Sequence, residues 1–418
     1  MHICIFEDNK YSDFEPLMFS RPVYELLCGT FTLKEKILHS FENTNYSLHC
    51  RKYLQKITER ENPGIRVNRF PEEDCLFING RILGNKDLNT ILEISDKKKK
   101  AFIKEDQLVA VFVPREEMNT VSNLQNELFD LKYFTSYEIQ PVDVPIANYI
   151  WDLININGDE IENDFELRLS SHSKLNYLNE VSANVHCINE DRIFIEENVI
   201  IKPGVVLDAS AGPIYIEKNA HIYSNSVVEG PFFLGEGSII KSAATIYPNT
   251  SIGKICKAGG EIDQTIMMSY SNKQHVGFLG SSYLGSWVNI GAGTNNSTLK
   301  NNYGKIKVQL NGKEIDTGLR FLGLMMGDHA KCAISVMFNT GTIVGFASNI
   351  FGAGFPDKYI PSFAWGGAES LQSYNFNKAI ETAKVMTSRR KIDFTSVDEK
   401  LFEDIFSLTK SDRDKKGF

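Results

Sequence analysis

The chain is 418 residues long, with 42% hydrophobic and 23% charged residues, a globular balance with room for two or three domains. Its net charge of −8 argues against a nucleic-acid partner, which would need a basic face, and no apolar run is long enough to span a bilayer. The opening MHICIFEDNK has too short an apolar patch for a signal peptide. The seven cysteines are scattered without CxxC spacing, which reads as reduced thiols of a cytoplasmic protein rather than a disulfide frame or a metal site.

Taken in chain order, residues 1–150 read as an α/β domain. HICIF (2–6) and CLFING (75–80) are buried strands that open onto polar loops. TLKEKILHSF (32–41) has apolar residues at 33, 37, 38 and 41, the spacing of a helix face. AFIKEDQLVAVFV (101–113) reads as two strands around a Glu-Asp turn, and the lysine run 97–100 before it as a solvated turn. Residues 151–190 form a connecting helix and linker, foreshadowed by a helical pattern over 141–165.

From about residue 191 to 356 the period changes. A large aliphatic recurs every six residues at Ile216, Ile222, Val228, Leu234, Ile240, Ile246 and Ile252. Four residues after each stands a residue that is small in six of the seven cases. Ile195, Ile201 and Leu207 keep the step upstream; Phe278, Leu284 and Ile290, then Met326, Cys332, Phe338, Val344 and Ile350, keep it downstream. Neither a helix nor a simple strand has this period. It is that of a left-handed parallel β-helix, an exception to right-handed crossovers, with the aliphatic inside a triangular prism and the small residue at a tight corner. About eighteen units predict roughly six coils and a prism about 29 Å tall. Residues 258–277 and 296–321 lose the period and are expected to leave the prism as loops, the second with a hairpin around Asn311-Gly312. Residues 357–418 carry two helix patterns expected to cover the prism's open end.

A β-helix carrying GGEIDQT, SNKQHVGFLG and VNIGAGT after an α/β domain resembles the bifunctional UDP-N-acetylglucosamine pyrophosphorylase/glucosamine-1-phosphate acetyltransferase family. SRPVYELLCGTFTLKEKI and FPDKYIPSFAWGG point to a divergent bacterial branch of it. The resemblance implies acetyl-CoA as acyl donor, an amino-sugar phosphate as acceptor, a homotrimer, and His275 as general base. It also implies Glu261, Phe278, Asn289 and Thr298 around the sugar, and Ala292 and Gly352 along the acyl carrier. An isolated histidine is more often structural, and Asn289 could equally be a corner residue in the left-handed conformation.

Three departures matter. The family's phosphate-binding lysine is Asp263 here, an acid that would repel a phosphate. Lys273 or Lys300 would have to replace it, or the acceptor differs. The glycine-rich loop of the nucleotidyltransferase domain is missing, which leaves Arg21, with Lys34 or Lys36, to meet nucleotide phosphates. The family's Mg²⁺-binding Asp is Arg81, so any Mg²⁺ would fall to Glu7 or Asp8, or the domain no longer transfers nucleotides. The alternative to an enzyme is a nucleotide-sugar-binding regulatory or scaffold protein without catalysis, or a bare structural prism.

Overall fold

The computed structural model describes residues 1–84, 87–94, 98–171, 176–180 and 184–418. Lys97 of the lysine run and parts of the 151–190 linker lie outside the described residues.

The N-terminal part is a seven-stranded mixed sheet. His2–Phe6 pairs in parallel with Tyr46–Leu48 on one side and Cys75–Asn79 on the other, and both expected strands are buried throughout. The Glu-Asp turn joins Lys100–Lys104 to Gln107–Val113 as an antiparallel pair. The helix Leu33–His39 begins at Thr32, whose side chain and Glu35 form a reciprocal capping box. The long helix starts at Ile150, after Pro141 and Pro145, which hold the preceding chain extended, and it runs to Ser171.

The second part is a parallel β-helix with three faces. One face stacks nine strands from Ile193–Ile195 to Tyr359–Ile360, each in register with the next. Nine rungs make a prism roughly 38 Å tall at one interstrand step per coil, taller than a count of six-residue units implies. The expected inward residues Ile216, Ile222, Val228, Leu234, Ile240, Ile246 and Ile252 are all fully buried. So are the corner residues Ala220, Ser226 and Ser238, and Asn219 and Asn225 just before two of them take the left-handed conformation.

Residues 258–277 do not leave the prism. Lys257–Ala258, Glu261–Asp263, Ile266–Met267, Asn272–Lys273 and Phe278–Gly280 are successive rungs. Ala258, Ile262 and Met267 fill the interior, and Leu279, not Phe278, points inward in the next coil. From Ala258 to Met267 the inward residues fall four and then five apart instead of six, so two turns shorten while the coil persists, and Lys273 and Leu279 resume the six-residue step. Residues 297–323 do leave it, and their hairpin Lys307–Leu310 with Lys313–Asp316 turns at Asn311-Gly312, both at positive φ.

The C-terminal helices lie along the side of the prism rather than over its end. Phe402 of the helix Ser396–Leu408 packs edge-on against His329 and Phe346. The end is finished instead by Leu371–Ser373, which pairs antiparallel with Ala364–Gly366. No helix among the described residues is long and apolar enough to cross a membrane.

Candidate active site on one edge of the prism

Asn272, Asn289 and Lys331 stand directly above one another on one face. Three residues further along each coil, at the edge that follows, come His275, Ala292 and Ile334. The hydrogen bonds Gly293 N–H to Val276 O (2.9 Å) and Ser335 N–H to Ala292 O (2.8 Å) tie these turns together. The imidazole of His275 is exposed. Beyond the edge, the adjoining face carries Glu261 directly beneath Phe278. The next rung supplies Asn295, whose side chain accepts the Phe278 N–H (2.8 Å), and Asn296, which accepts the Gly280 N–H (2.9 Å). Thr298 follows two residues later. Six of the sequence-predicted residues, His275, Glu261, Phe278, Asn289, Ala292 and Thr298, therefore gather on neighbouring coils. Gly352 belongs to the same edge, further along the prism, at φ 102. Asn289 is not in the left-handed conformation, so the corner reading of it does not hold.

The two faces that meet at His275 differ in sign. On the Phe278 side stand Glu229, Tyr247, Glu261 and Asp263. Burial first, then the charges of Glu261 and Glu229, raise the Asp263 carboxyl above its ordinary range. The neighbouring Glu261 likewise raises the Tyr247 phenol. A phosphate placed there would meet the carboxyl groups of Glu229, Glu261 and Asp263. On the other side a cavity of about 310 Å³ is lined by Lys257, Asn272, Asn289, Lys331, Arg389 and Arg390, among others.

Of the two lysines suggested as replacements for the missing family lysine, one is sealed inside the prism and the other bonds within the 297–323 excursion. Lys273 occupies the inward register position of its rung and is 2% exposed. Its ammonium sits inside the prism and donates to the carbonyls of Gly259 (2.8 Å) and His275 (2.6 Å). Burial pushes it down to about 8. Lys300 donates to Lys305 O (2.6 Å) within the excursion. The spacing of the prism's inward residues, followed through the shortened turns, would have found Lys273; the basic cavity draws on residues more than a hundred apart, and no local motif announces it.

The N-terminal candidates are committed elsewhere. Glu7 is buried against Arg51, which reaches both of its oxygens, and it also accepts the N–H of Val23 (2.9 Å). Asp8 is held by Arg81 (2.6 Å) and Asn79 (2.8 Å). These acids are neutralised by arginines and do not suit Mg²⁺, and no group of three His, Cys, Asp or Glu among the described residues is arranged to hold a metal. Arg21 is not at the end of the first strand. It pairs with Asp328 of the β-helix, and Ser20 donates to the same carboxylate (2.6 Å). Lys36 is buried against Asp164 and Glu160 of the long helix, and Lys34 pairs with Glu25 (2.6 Å).

Residues 3–173 match the family model for sugar nucleotidyl transferase. Over 157 residues the chain is 32% identical to the bifunctional sugar-1-phosphate nucleotidylyltransferase/acetyltransferase of Sulfurisphaera tokodaii, covering 38% of this chain and 37% of the relative. Over 343 residues it is 28% identical to the bifunctional protein GlmU of Methanocaldococcus jannaschii, covering 75% of this chain and 78% of the relative. With GlmU of Methanococcus maripaludis the identity is 26% over 405 residues, 82% of this chain and 92% of the relative. The match thus spans little more than a third of the Sulfurisphaera protein and most of the other two. By sequence and architecture the chain is similar to GlmU proteins, with an N-terminal part that matches a sugar nucleotidyl transferase model joined to a parallel β-helix.

Proposed function

We propose that this protein transfers an acetyl group from acetyl-CoA to the amine of an amino-sugar phosphate, on the route to nucleotide sugars, with His275 as the general base. The observation that supports it most is the gathering of His275, Asn289 and Ala292 on adjacent coils of one edge, with Glu261 and Phe278 on the adjoining face. The sugar amine attacks the thioester carbonyl carbon, its proton passes to the imidazole, the C–S bond breaks, and the CoA thiolate leaves and takes up a proton. Histidine is the side-chain type ordinarily suited to this task. Ala292 and Gly352, along the same edge, would border the carrier's path, and Asn289 and Thr298 would flank the sugar.

The test is thiol release from acetyl-CoA with a panel of amino-sugar phosphates. His275→Ala should lower turnover by about 10²- to 10⁴-fold and leave the melting temperature unchanged, because the exposed side chain fills no layer of the prism. An active variant with an unaltered pH–rate profile would reduce His275 to a bystander.

The N-terminal domain supports a second statement. With Glu7 and Asp8 engaged by arginines and Arg21 engaged by Asp328, we read it as a binding or structural domain that no longer transfers nucleotides.

A further inference from the structure

We propose that the cavity between the prism face bearing Asn272, Asn289 and Lys331 and the end of the helix Phe376–Ser388 is a binding site for a phosphate group of a phosphorylated ligand. Its cations come from distant parts of the chain. Lys257 and Lys331 project from the prism, and Arg389 and Arg390 arrive at the end of the C-terminal helix. Between the lysines in the ladder stand Asn272 and Asn289, neutral side chains able to donate to an anion. Arg390 is oriented by its bond to the Asn272 side chain (3.1 Å).

Four cations converge here, and among the described residues none of them is paired with a carboxylate. Elsewhere in this chain of net charge −8, several deeply buried cations are neutralised by carboxylates. Lys36 meets Asp164 and Glu160, Arg51 meets Glu7, and Arg81 meets Asp8. Burial and then the neighbouring Arg390, Lys241 and Arg389 hold the Lys257 ammonium below its ordinary value. Burial alone takes Lys331 down to about 7. Cations crowded in this way are relieved by an anion, and a guanidinium matched to a phosphate gives directional, charge-assisted bonds.

The location fits a ligand that also reaches the edge. Gln274, next to His275, lines the same cavity. Asp263 and Glu261 exclude phosphate from the opposite face, so a phosphate ester lying across the edge would have its charged end here. The site rests on this geometry and not on acyl transfer, so phosphate binding by a chain with no transferase activity would leave it standing.

Calorimetry of the full-length chain with inorganic phosphate and pyrophosphate, in phosphate-free buffer, tests it. Saturable binding at one site is expected, weakening as salt rises. Arg390→Gln and Lys331→Met should each weaken it at least tenfold, with circular dichroism and melting temperature reporting that the variants remain folded. No saturable binding, or equal binding by folded variants, would overturn the assignment. Competition then identifies the source. Displacement by glucosamine-1-phosphate assigns the anion to the acceptor, and displacement by CoA but not by 3′-dephospho-CoA assigns it to the carrier. Displacement by none of the three would also overturn it.

Discussion

Lys273 and His275 are two residues apart, yet one is sealed in the prism and the other stands in solvent. The chain of cause runs through the backbone. The Lys273 ammonium ties the Gly259 corner to the carbonyl of His275 and so fixes the turn from which the imidazole projects. It is a positioning residue, and Lys273→Met should lower acetyl transfer by roughly ten- to a hundredfold through misplacement of the base, with KM little changed and the pH–rate profile still reporting an imidazole. A merely structural lysine would lower activity only in step with folded fraction. Lys273 also carries a stability signature. Its ammonium titrates at about 8 in the fold against an ordinary 10.5, so between those values the unfolded chain binds more protons and stability rises with pH. Denaturant unfolding of the wild type should therefore strengthen from about pH 8 toward pH 10, and Lys273→Met should lose that slope. An identical slope in the variant would exclude Lys273 as its source.

At the scale of elements, the sequence spoke most clearly where one period ran unbroken. The rungs from Ile216 to Ile252 and from Met326 to Ile350 lie where a six-residue step puts them, and the hairpin turns at the Asn-Gly pair because both residues accept positive φ. The stretch 258–277 was illegible for a physical reason. Its inward positions include Ala258 and Lys273, which carry no aliphatic signal, and two of its turns are shorter by a residue or two. What looks like a departing loop is a continuous coil with a disguised interior. The residues that gather at the edge carry a motif signal, since SNKQH and VNIG fall on adjacent coils there. The basic cavity carries none, because it exists only when Arg389 and Arg390 meet Lys257 and Lys331. The first strand makes a comparable point. It ends in two acids, and both are held by arginines from the elements after it. Mg²⁺-dependent pyrophosphate release from a nucleoside triphosphate and a sugar 1-phosphate should be undetectable. Robust release would require Glu7 or Asp8 to exchange an arginine for the ion, and the reading of a closed site would fail.

Across the whole molecule, the long helix Ile150–Ser171 is the seam between the two parts. Its Asn157 accepts from Gly29 N–H (2.8 Å) and donates to Asn249 O (2.9 Å), joining the first domain to the prism. Its Asp164 accepts the Thr30 N–H (2.7 Å) and meets the fully buried Lys36. Removing Asp164 leaves Lys36 with Glu160 alone and the Thr30 N–H without its acceptor, so Asp164→Ala should destabilise by about 1–3 kcal/mol, measured by denaturant unfolding; no measurable loss would mean that water reaches these groups readily. With the hairpin packed on its own chain through Val308 and Leu310, and 258–277 inside the prism, neither segment is left seeking a partner. The homotrimer implied by the family resemblance must rest on another surface. The edge at His275 supplies one. Val276 is 73% exposed and Ile334, two coils along, is 71% exposed, and we propose this apolar edge as the surface on which such a trimer would form. A neighbouring prism docked there would close the site over His275 and present its own coils to the acyl carrier. Multi-angle light scattering at micromolar concentration should give three chains per particle, and Ile334→Lys should release monomers and lower acetyl transfer together, with the melting temperature of the separated chain reporting intact folding. A wild-type monomer that is fully active would refute the shared site and leave the apolar edge to some other ligand.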